Sequence, residues 1–206
     1  MKFKLFVEGY TEQKTIPAFL KRWLDARLEK RVGIQAIRFE GWQELVKDSP
    51  TKAWMYLDGS DKKEIIGVIA LLDLYGPTIY PEDKTTALDR YQWAKNYLEN
   101  QVRHPKFRQF FAIHEVEAWL LSDPNLFTRG IRQALPTKSP EEINFNEPPA
   151  KLLERLYKQH TKRSYKKVTY GRELFSRLDP NMAYSKCPRL KAMLDEMLQM
   201  AKQAGL

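Results

Sequence analysis

The sequence predicts an α/β fold in which helices flank a central, mostly parallel sheet, and three observations support this. Residues 2–8 (KFKLFVE) begin with an apolar–polar alternation of period two, which is typical of a β-strand. Residues 12–29 then carry apolar side chains at helical spacing, with Thr11 as a candidate N-cap. Residues 65–72 (IIGVIALL) are apolar almost without interruption, as expected for a strand that is buried on both faces of a parallel sheet.

The remaining elements continue this alternation of strands and helices. Further strands are predicted over residues 33–40 and 108–113, and helices over residues 85–102, 115–121, 149–160, 170–178 and 188–203. Residues 42–63 alternate weakly helical stretches with breakers such as Ser49-Pro50, and residues 128–150 are rich in Pro and Glu and predict a loop. We therefore expect an α/β core over residues 1–125, and a Pro-rich connector with a basic helical region over residues 126–206 packed on that core.

Composition excludes several classes of protein. No apolar run approaches the roughly 20 residues that a membrane span requires. The N-terminal segment becomes acidic at Glu8, before a secretory apolar stretch forms. The single cysteine, Cys187, excludes an internal disulfide framework and a zinc site built from cysteines. These features predict a cytoplasmic protein and no membrane partner, and they leave a homo-oligomer open.

The positive charge is concentrated in the last quarter of the chain. Residues 151–206 hold 13 Lys and Arg against 5 Asp and Glu, whereas residues 1–150 hold 22 against 21. Such an asymmetry favours a polyanionic partner, of which nucleic acid is the commonest, although many basic faces are only solvated.

Carboxylates follow three of the predicted strands at the points where those strands end. Glu8 and Glu12 follow the first strand, Asp73 the central one, and Glu115 and Glu117 the later one. In open parallel α/β sheets the carboxyl ends of the strands form the edge at which ligands bind. Acids that meet there repel one another unless a cation lies between them, and Mg²⁺ prefers oxygen ligands. The pattern predicts a metal site.

Some of these residues also have a structural interpretation. Glu12 follows the candidate N-cap, where a carboxylate interacts favourably with the helix dipole by about 0.3–1 kcal/mol. His114 and Glu117 are three residues apart and would share a helix face, but a single histidine is more often structural than a ligand. Gly9 would permit a tight corner, a close approach to a ligand, or both.

The segment HTKRSYKKVTYGR, residues 160–172, is the centre of the basic region. Its candidate nucleic-acid-binding residues are Lys162, Arg163, Lys166, Lys167 and Arg172. Such residues neutralise phosphates, and the interleaved Tyr165 and Tyr170 could stack on unpaired bases. The alternative is a solvated basic segment whose tyrosines face the core.

Four segments together resemble a known group of proteins. LFVEGYTEQKTIPAFL resembles the VEG-x-TE opening motif of Toprim domains in overcoming-lysogenization-defect (OLD-like) nucleases. VIALLDLYGP and FAIHEVEAWLLSDP resemble the later motifs, D-x-YG and HE-x-EA-x-L-x-SDP, of a bacterial family of unassigned function, and the Lys/Tyr-rich segment with the later Cys-Pro resembles its tail. That family is similar to Toprim-like abortive-infection proteins, which are often encoded beside an AAA-type ATPase.

The resemblance implies a Toprim-like fold and assigns roles to particular residues. Glu8 would match the Toprim glutamate, a metal ligand or general base, and Glu12 the second acid of VEG-x-TE. Asp73 would match the first Asp of an Asp-x-Asp metal motif, and Glu117 a later acidic position. By analogy, Lys166 or Lys167 would stabilise the transition state, with Lys166 taken as the catalytic candidate.

The sequence departs from this pattern at one position. Tyr75 stands where the second Asp of Asp-x-Asp would be, and a phenol is a poor ligand for Mg²⁺ because it keeps its proton to a pKa of about 10. Glu115 or Glu117 would then replace the lost ligand.

Two functional hypotheses follow from the sequence. The first is a Mg²⁺- or Mn²⁺-dependent Toprim-like nuclease that cleaves DNA or RNA, acting in antiphage defence with an AAA-type ATPase partner. The second is a catalytically inactive subunit of such a complex that binds nucleic acid or protein.

Overall fold

Four parallel strands form one sheet with the order β2-β1-β3-β4. The computed structural model describes residues 1–142 and 147–206. The strands are β1 (Lys2–Val7), β2 (Gly33–Arg38), β3 (Ile65–Asp73) and β4 (Phe107–Ala112). The predicted α/β class with a parallel central sheet is therefore confirmed, and all four predicted strands are present within two residues of their predicted ends.

Helices cover both faces of this sheet. They are α1 (Tyr10–Asp25), α2 (Trp42–Leu57), α3 (Ala87–Val102), α4 (Glu117–Leu120), α5 (Arg129–Ala134), α6 (Pro149–Thr161), α7 (Arg172–Arg177), α8 (Pro180–Lys186) and α9 (Pro188–Gln203). A π-helical turn, Lys167–Gly171, leads directly into α7. No helix within the two described ranges is long and apolar enough to cross a membrane.

The alternation of side chains along the strands divides the core into two layers. Leu5 of β1 and Leu71 of β3 belong to a layer formed with α1, α6 and α9. Phe6 and Leu72, one residue further along each strand, belong to the layer beneath α2 and α3. Because β3 is buried on both faces, its sequence is apolar almost throughout. Residues on both sides of residue 126 contribute to the first layer. The division into a core over residues 1–125 and a second region over residues 126–206 stays a prediction.

Residues 42–57 form one helix, so the prediction that Ser49-Pro50 breaks this region is wrong. Proline in a helix interior removes one hydrogen bond and costs about 3 kcal/mol. Leu45, Ala53 and Leu57 nevertheless place a buried stripe against the sheet. Packing of this stripe outweighs the local signal.

Two other local predictions also need correction. Helix α1 begins at Tyr10 with Gly9 as its N-cap, so Thr11 is a buried residue of the first turn rather than the cap. The segment predicted as a loop over residues 128–150 contains α5 and a short 3-10 turn, Pro140–Glu142. Residues 143–146 of that predicted loop lie outside the described residues.

Candidate metal centre at the carboxyl edge of the sheet

The parallel register brings the predicted acids to one edge of the sheet. Val7 pairs with Leu71, and Asp73 pairs with Ala112, so β1, β3 and β4 end at similar heights. Glu8 directly follows Val7, and its Oε1 accepts a hydrogen bond of 2.8 Å from the backbone N–H of Asp73. The structure thus places Glu8 in contact with Asp73, two of the predicted site residues.

The loop after β4 is tied to the same edge. His114 is buried and has a φ of 66°, a left-handed conformation that turns the chain sharply after the strand. Its carbonyl accepts a hydrogen bond from the Tyr75 N–H, and Oδ1 of Asp73 accepts one of 3.0 Å from the Val116 N–H. These bonds fix the backbone that carries Glu115 and Glu117.

Asp73, Glu115 and Glu117 form a compact carboxylate group. Each offers one oxygen, and the three oxygens lie within 4.8 Å of one another. Glu117 is 1% exposed, so its carboxylate is held away from bulk water. Glu8 is outside this group of three and lies beside it through its contact with the backbone of Asp73.

Glu12 approaches the same edge from the first turn of α1. Its carboxylate folds back over Gly9, where an added Cβ would lie 2.3 Å from Oε2 of Glu12. Gly9 thus leaves room for the Glu12 carboxylate in this position, whereas its own φ of −137° is accessible to any residue. We call Glu8, Glu12, Asp73, Glu115 and Glu117 the acid cluster.

Burial and mutual repulsion perturb the acid cluster strongly. Burial, with repulsion from Glu12, raises the pKa of Glu8 to about 7, against the pull of the Asp73 N–H. Burial and repulsion from Glu8 raise the pKa of Asp73 well above its ordinary value. Burial, with repulsion from Glu115, raises the pKa of Glu117 to about 7 despite the nearby Lys167. The cluster holds more negative charge than its surroundings stabilise.

Lys167 provides a positive charge to the acid cluster. Its Nζ lies 3.1 Å from Oε1 of Glu115 and 3.3 Å from Oε2 of Glu117. Burial lowers the pKa of this ammonium group, but attraction to Glu117, Asp73 and Glu115 outweighs burial and raises it above the ordinary value. Within residues 1–142 and 147–206, no other lysine or arginine forms an ion pair with these five acids.

The helical C-terminal region also contacts the cluster through its backbone. Oε2 of Glu115 accepts a hydrogen bond of 2.9 Å from the N–H of Ala150, in the first turn of α6. Sequence reasoning gave no sign of this contact, because a backbone N–H has no sequence signature.

The other predicted basic residues lie outside the cluster. Lys162, Arg163, Lys166 and Arg172 are exposed, and in the described ranges none of them pairs with a cluster carboxylate. The resemblance implied Lys166 or Lys167 as the catalytic cation, with Lys166 as the candidate. In the structure Lys166 is exposed, and Lys167 lies at the acids.

The tyrosines of the basic segment pack inward. Tyr165 is 7% exposed, and its ring lies 5.5 Å from that of Tyr157 and 6.3 Å from that of Tyr170. For Tyr165 the alternative that it faces the core is therefore correct. Tyr170 is half-buried.

The chemistry of the site fits a hard divalent cation. All the convergent donors are carboxylate oxygens, which suit Mg²⁺ and Mn²⁺ rather than softer metals. The raised pKa values also indicate charge that a cation would stabilise. The roles of the individual acids stay predictions.

Two solved structures cover almost the same length of chain. The C-terminal region of the Burkholderia pseudomallei OLD protein is 17% identical over 95% of this chain and 98% of that one, with a TM-score of 0.45. The C-terminal region of the Xanthomonas campestris pv. campestris OLD protein is 16% identical over 98% of this chain and 94% of that one, also with a TM-score of 0.45.

Comparison at the level of sequence gives two further findings. No curated protein matches the chain. The family model described as "Domain of unknown function (DUF4276)" matches residues 7–198.

Proposed function

We propose that this chain, which belongs to the DUF4276 family, is a metal-dependent Toprim-like nuclease that cleaves phosphodiester bonds of DNA or RNA. The observation that carries the proposal is the acid cluster, in which oxygens of Asp73, Glu115 and Glu117 converge within 4.8 Å. Buried like charges repel, so a cluster of this kind destabilises the fold, and a bound cation would offset that cost.

Asp73, Glu115 and Glu117 would hold Mg²⁺ or Mn²⁺. A metal ion bound there would polarise the phosphodiester and lower the pKa of a bound water. Asp73 is oriented for this role by the hydrogen bond that it accepts from Val116, and Glu115 by the bond that it accepts from Ala150. Both carboxylates are thus held by backbone groups of other elements.

Glu8 is the best candidate for the general base. A base works best when its pKa is near the working pH, and burial raises the pKa of Glu8 to about 7. The Asp73 N–H fixes one of its carboxylate oxygens. Glu12 lies behind it in the first turn of α1 and keeps the local potential negative, which helps Glu8 to take a proton.

Lys167 would stabilise the charge that develops on the transferred phosphate. Its ammonium group already lies at the acids and remains charged, because three carboxylates attract it. It is therefore a better candidate for this role than the exposed Lys166. A fixed cation at such a position typically contributes about 100-fold or more to the rate.

The biological setting is proposed from the motif resemblance. VEG-x-TE and the later motifs favour a cytoplasmic antiphage-defence protein that acts with an AAA-type ATPase. Affinity purification of the chain from its native host tests this partner directly. Recovery of the chain without any ATPase, under conditions that preserve nucleotide-dependent complexes, would count against it.

One observation favours the second candidate, a binding subunit without catalytic activity. Tyr75 occupies the position of the second Asp, is 42% exposed, and contributes its backbone N–H to the His114 carbonyl. The site therefore has one acid fewer than the Asp-x-Asp pattern. A titration of the protein with Mn²⁺ by calorimetry discriminates, since a site that has lost its metal would release no heat.

Cleavage assays test the leading proposal. Plasmid, single-stranded DNA and tRNA are incubated with the protein and Mn²⁺, with and without EDTA. We expect metal-dependent cleavage of at least one substrate, and its loss in the variant that combines Glu8→Ala with Asp73→Ala. Glu196→Gln, which alters an ion pair with Arg108 at the opposite edge of the sheet, is the matched control. Cleavage that persists in the double variant would overturn the assignment of these acids.

A further inference from the structure

A cleft of about 640 Å³ lies between α5, α6 and α7, and one turn of the chain links it to the acid cluster. The turn Lys167–Gly171 connects the two places: Lys167 contacts Glu115 and Glu117, whereas Tyr170 lines the cleft. The volume of the cleft is within the range of about 300–1,000 Å³ that is typical of sites for small organic groups. The cleft is therefore close enough to hold a part of the substrate that is not being cut.

The lining of this cleft is strongly basic. Arg129, Arg163 and Arg177 contribute guanidinium groups, and Glu173 is the one carboxylate among its lining residues within the described ranges. Glu173 pairs with Arg177 at 3.3 Å. In those ranges no carboxylate pairs with Arg129 or Arg163. Two unpaired guanidinium groups on one concave surface are suited to phosphate, which they can bind through two hydrogen bonds at once.

One wall of the cleft is aromatic. Tyr157 and Tyr170 both line it, with ring centroids 5.2 Å apart, and Tyr165 packs behind them. The imidazole of His160, also on α6, lies close to Gly130 of α5, where an added Cβ would be 3.1 Å from Nδ1. The combination of a flat aromatic surface and a phosphate-binding surface matches a nucleotide whose base is not paired.

We propose that this cleft binds an unpaired nucleotide of the nucleic-acid strand that the acid cluster would cleave. Arg129 and Arg163 hold its phosphate, and its base lies against Tyr170. The substrate is accordingly single-stranded, or has a single-stranded end or bulge, because a base in a continuous duplex cannot enter the cleft. This inference rests on the proposed function, whose substrate it specifies.

The cleft residues differ from those that the sequence suggested for nucleic-acid binding. Of the five predicted residues, only Arg163 lines the cleft. Arg129 and Arg177 were not predicted, because they lie far along the chain from the basic segment or beyond its end. The strand therefore passes between α5 and α7 as well as along residues 162–172.

Binding is measured in EDTA, so that the result does not depend on catalysis. The probe is a 5′-labelled 12-nucleotide single strand, compared by fluorescence anisotropy with a blunt duplex of the same sequence, an abasic strand and AMP as a competitor. The test variant combines Arg129→Ala with Arg163→Ala. The control combines Lys62→Ala with Lys63→Ala. These two lysines are exposed and precede β3, so their substitution removes the same amount of charge at the other end of the sheet.

We expect the single strand to bind at least about tenfold more tightly than the duplex or the abasic strand. Loss of two charge-assisted contacts should weaken binding about tenfold or more in the arginine variant and less than about twofold in the lysine control. The slope of log affinity against log salt should fall by about 0.7, since the two arginines hold one phosphate and each phosphate of a single strand contributes about 0.7. Tyr170→Leu should weaken binding about fivefold or more, and Tyr170→Phe should not.

The outcomes separate this inference from the proposed function. Equal binding by the arginine variant and the wild type, with cleavage present, would overturn the cleft and leave the nuclease intact. Arginine-dependent binding of the single strand by a protein that never cleaves would support the cleft and count against the nuclease. Tight binding of the duplex, or AMP binding as tight as that of the strand, would overturn the assignment of an unpaired nucleotide within a strand.

Discussion

The two edges of the sheet differ in how far their acidic side chains are paired with basic ones. At the amino edge, two acids each have a basic partner: Glu64 pairs with Lys2 at 3.1 Å, and Glu196 pairs with Arg108 at 2.6 Å. At the carboxyl edge, the acid cluster contains five carboxylates, and within the described residues only Glu115 and Glu117 have an ion-pair partner, which is Lys167. Both edges belong to the same four strands, so the fold does not itself require an excess of negative charge at the carboxyl edge.

This difference indicates which edge is adapted to a ligand. Exposed pairs such as Lys2–Glu64 contribute at most about 1 kcal/mol and need no function to explain them. Buried acids with raised pKa values destabilise a protein, and such residues concentrate at functional sites. The predictions below test whether the excess negative charge has this meaning.

The largest expected effect is on catalysis. Glu8→Gln keeps the shape of the side chain and can still accept a hydrogen bond from the Asp73 N–H, but cannot take a proton. We expect the rate of Mn²⁺-dependent cleavage to fall by a factor of about 10²–10⁴, as is usual for loss of a general base. Glu196→Gln should change the rate less than about twofold. Similar cleavage rates for the two variants would show that the carboxyl edge is no more important for catalysis than the amino edge.

The next effect separates two neighbouring lysines. Lys167→Met removes the cation that contacts Glu115 and Glu117, so cleavage should slow about 100-fold, while Mn²⁺ binds at least as tightly because a competing charge is gone. Lys166→Met should have a smaller effect on the cleavage rate. Parallel measurements of rate and Mn²⁺ affinity on both variants provide the test. A larger loss of rate in Lys166→Met than in Lys167→Met would show that Lys166, and not Lys167, has this role.

The acid cluster should also give the metal-free protein an unusual dependence on pH. The pKa values of Glu8 and Glu117 are raised to about 7 in the fold, against 4.5 as the ordinary value. The native state therefore binds more protons than the unfolded chain between these values. The stability contributed by the protonated groups is fully present below about pH 4.5, and is lost as the pH rises through about 7.

Urea denaturation in EDTA at pH 5.5 and pH 8 measures this dependence. From pH 5.5 to pH 8, the free energy of unfolding of the wild type should decrease by on the order of 1–3 kcal/mol more than that of the variant that combines Glu8→Gln with Glu117→Gln. Glu196→Gln should show the wild-type dependence. An identical change with pH in the wild type and the double variant would mean that these carboxylates are not perturbed.

The smallest effect concerns the missing acid. Tyr75→Asp restores the Asp-x-Asp pattern at an exposed position, without disturbing the backbone hydrogen bond to His114. One more carboxylate near the cluster should increase Mn²⁺ affinity a few-fold, because a cation gains from each added negative ligand. Tyr75→Phe should leave the affinity unchanged. Calorimetry on both variants decides, and weaker binding by Tyr75→Asp would show that this position lies outside the site.

Most of the fold could be predicted because its strands carry strong local signals. The alternation in β1 and the apolar run of β3 follow directly from burial on one or both faces. Helix α2 could not be predicted, since Pro50 is a local breaker and the buried stripe of Leu45, Ala53 and Leu57 acts only once the sheet exists. Local signals fail where tertiary packing opposes them.

The site was predictable to the extent that parallel strands end at one edge. This rule brought together the acids after β1, β3 and β4 without any knowledge of distances. It could not choose between Lys166 and Lys167, because the choice depends on how a single π-helical turn is oriented. It also could not find Arg129 or Ala150, which reach the region through the packing of α5 and α6.

A titration with Mn²⁺ at pH 7.5, followed by calorimetry on the wild type and on Asp73→Asn, tests the shared cation most directly. We predict saturable binding by the wild type, and an affinity at least about tenfold lower in Asp73→Asn, which keeps the bond to Val116 but loses the charge. Absence of saturable heat with the wild type, or equal affinities for the two proteins, would contradict the account.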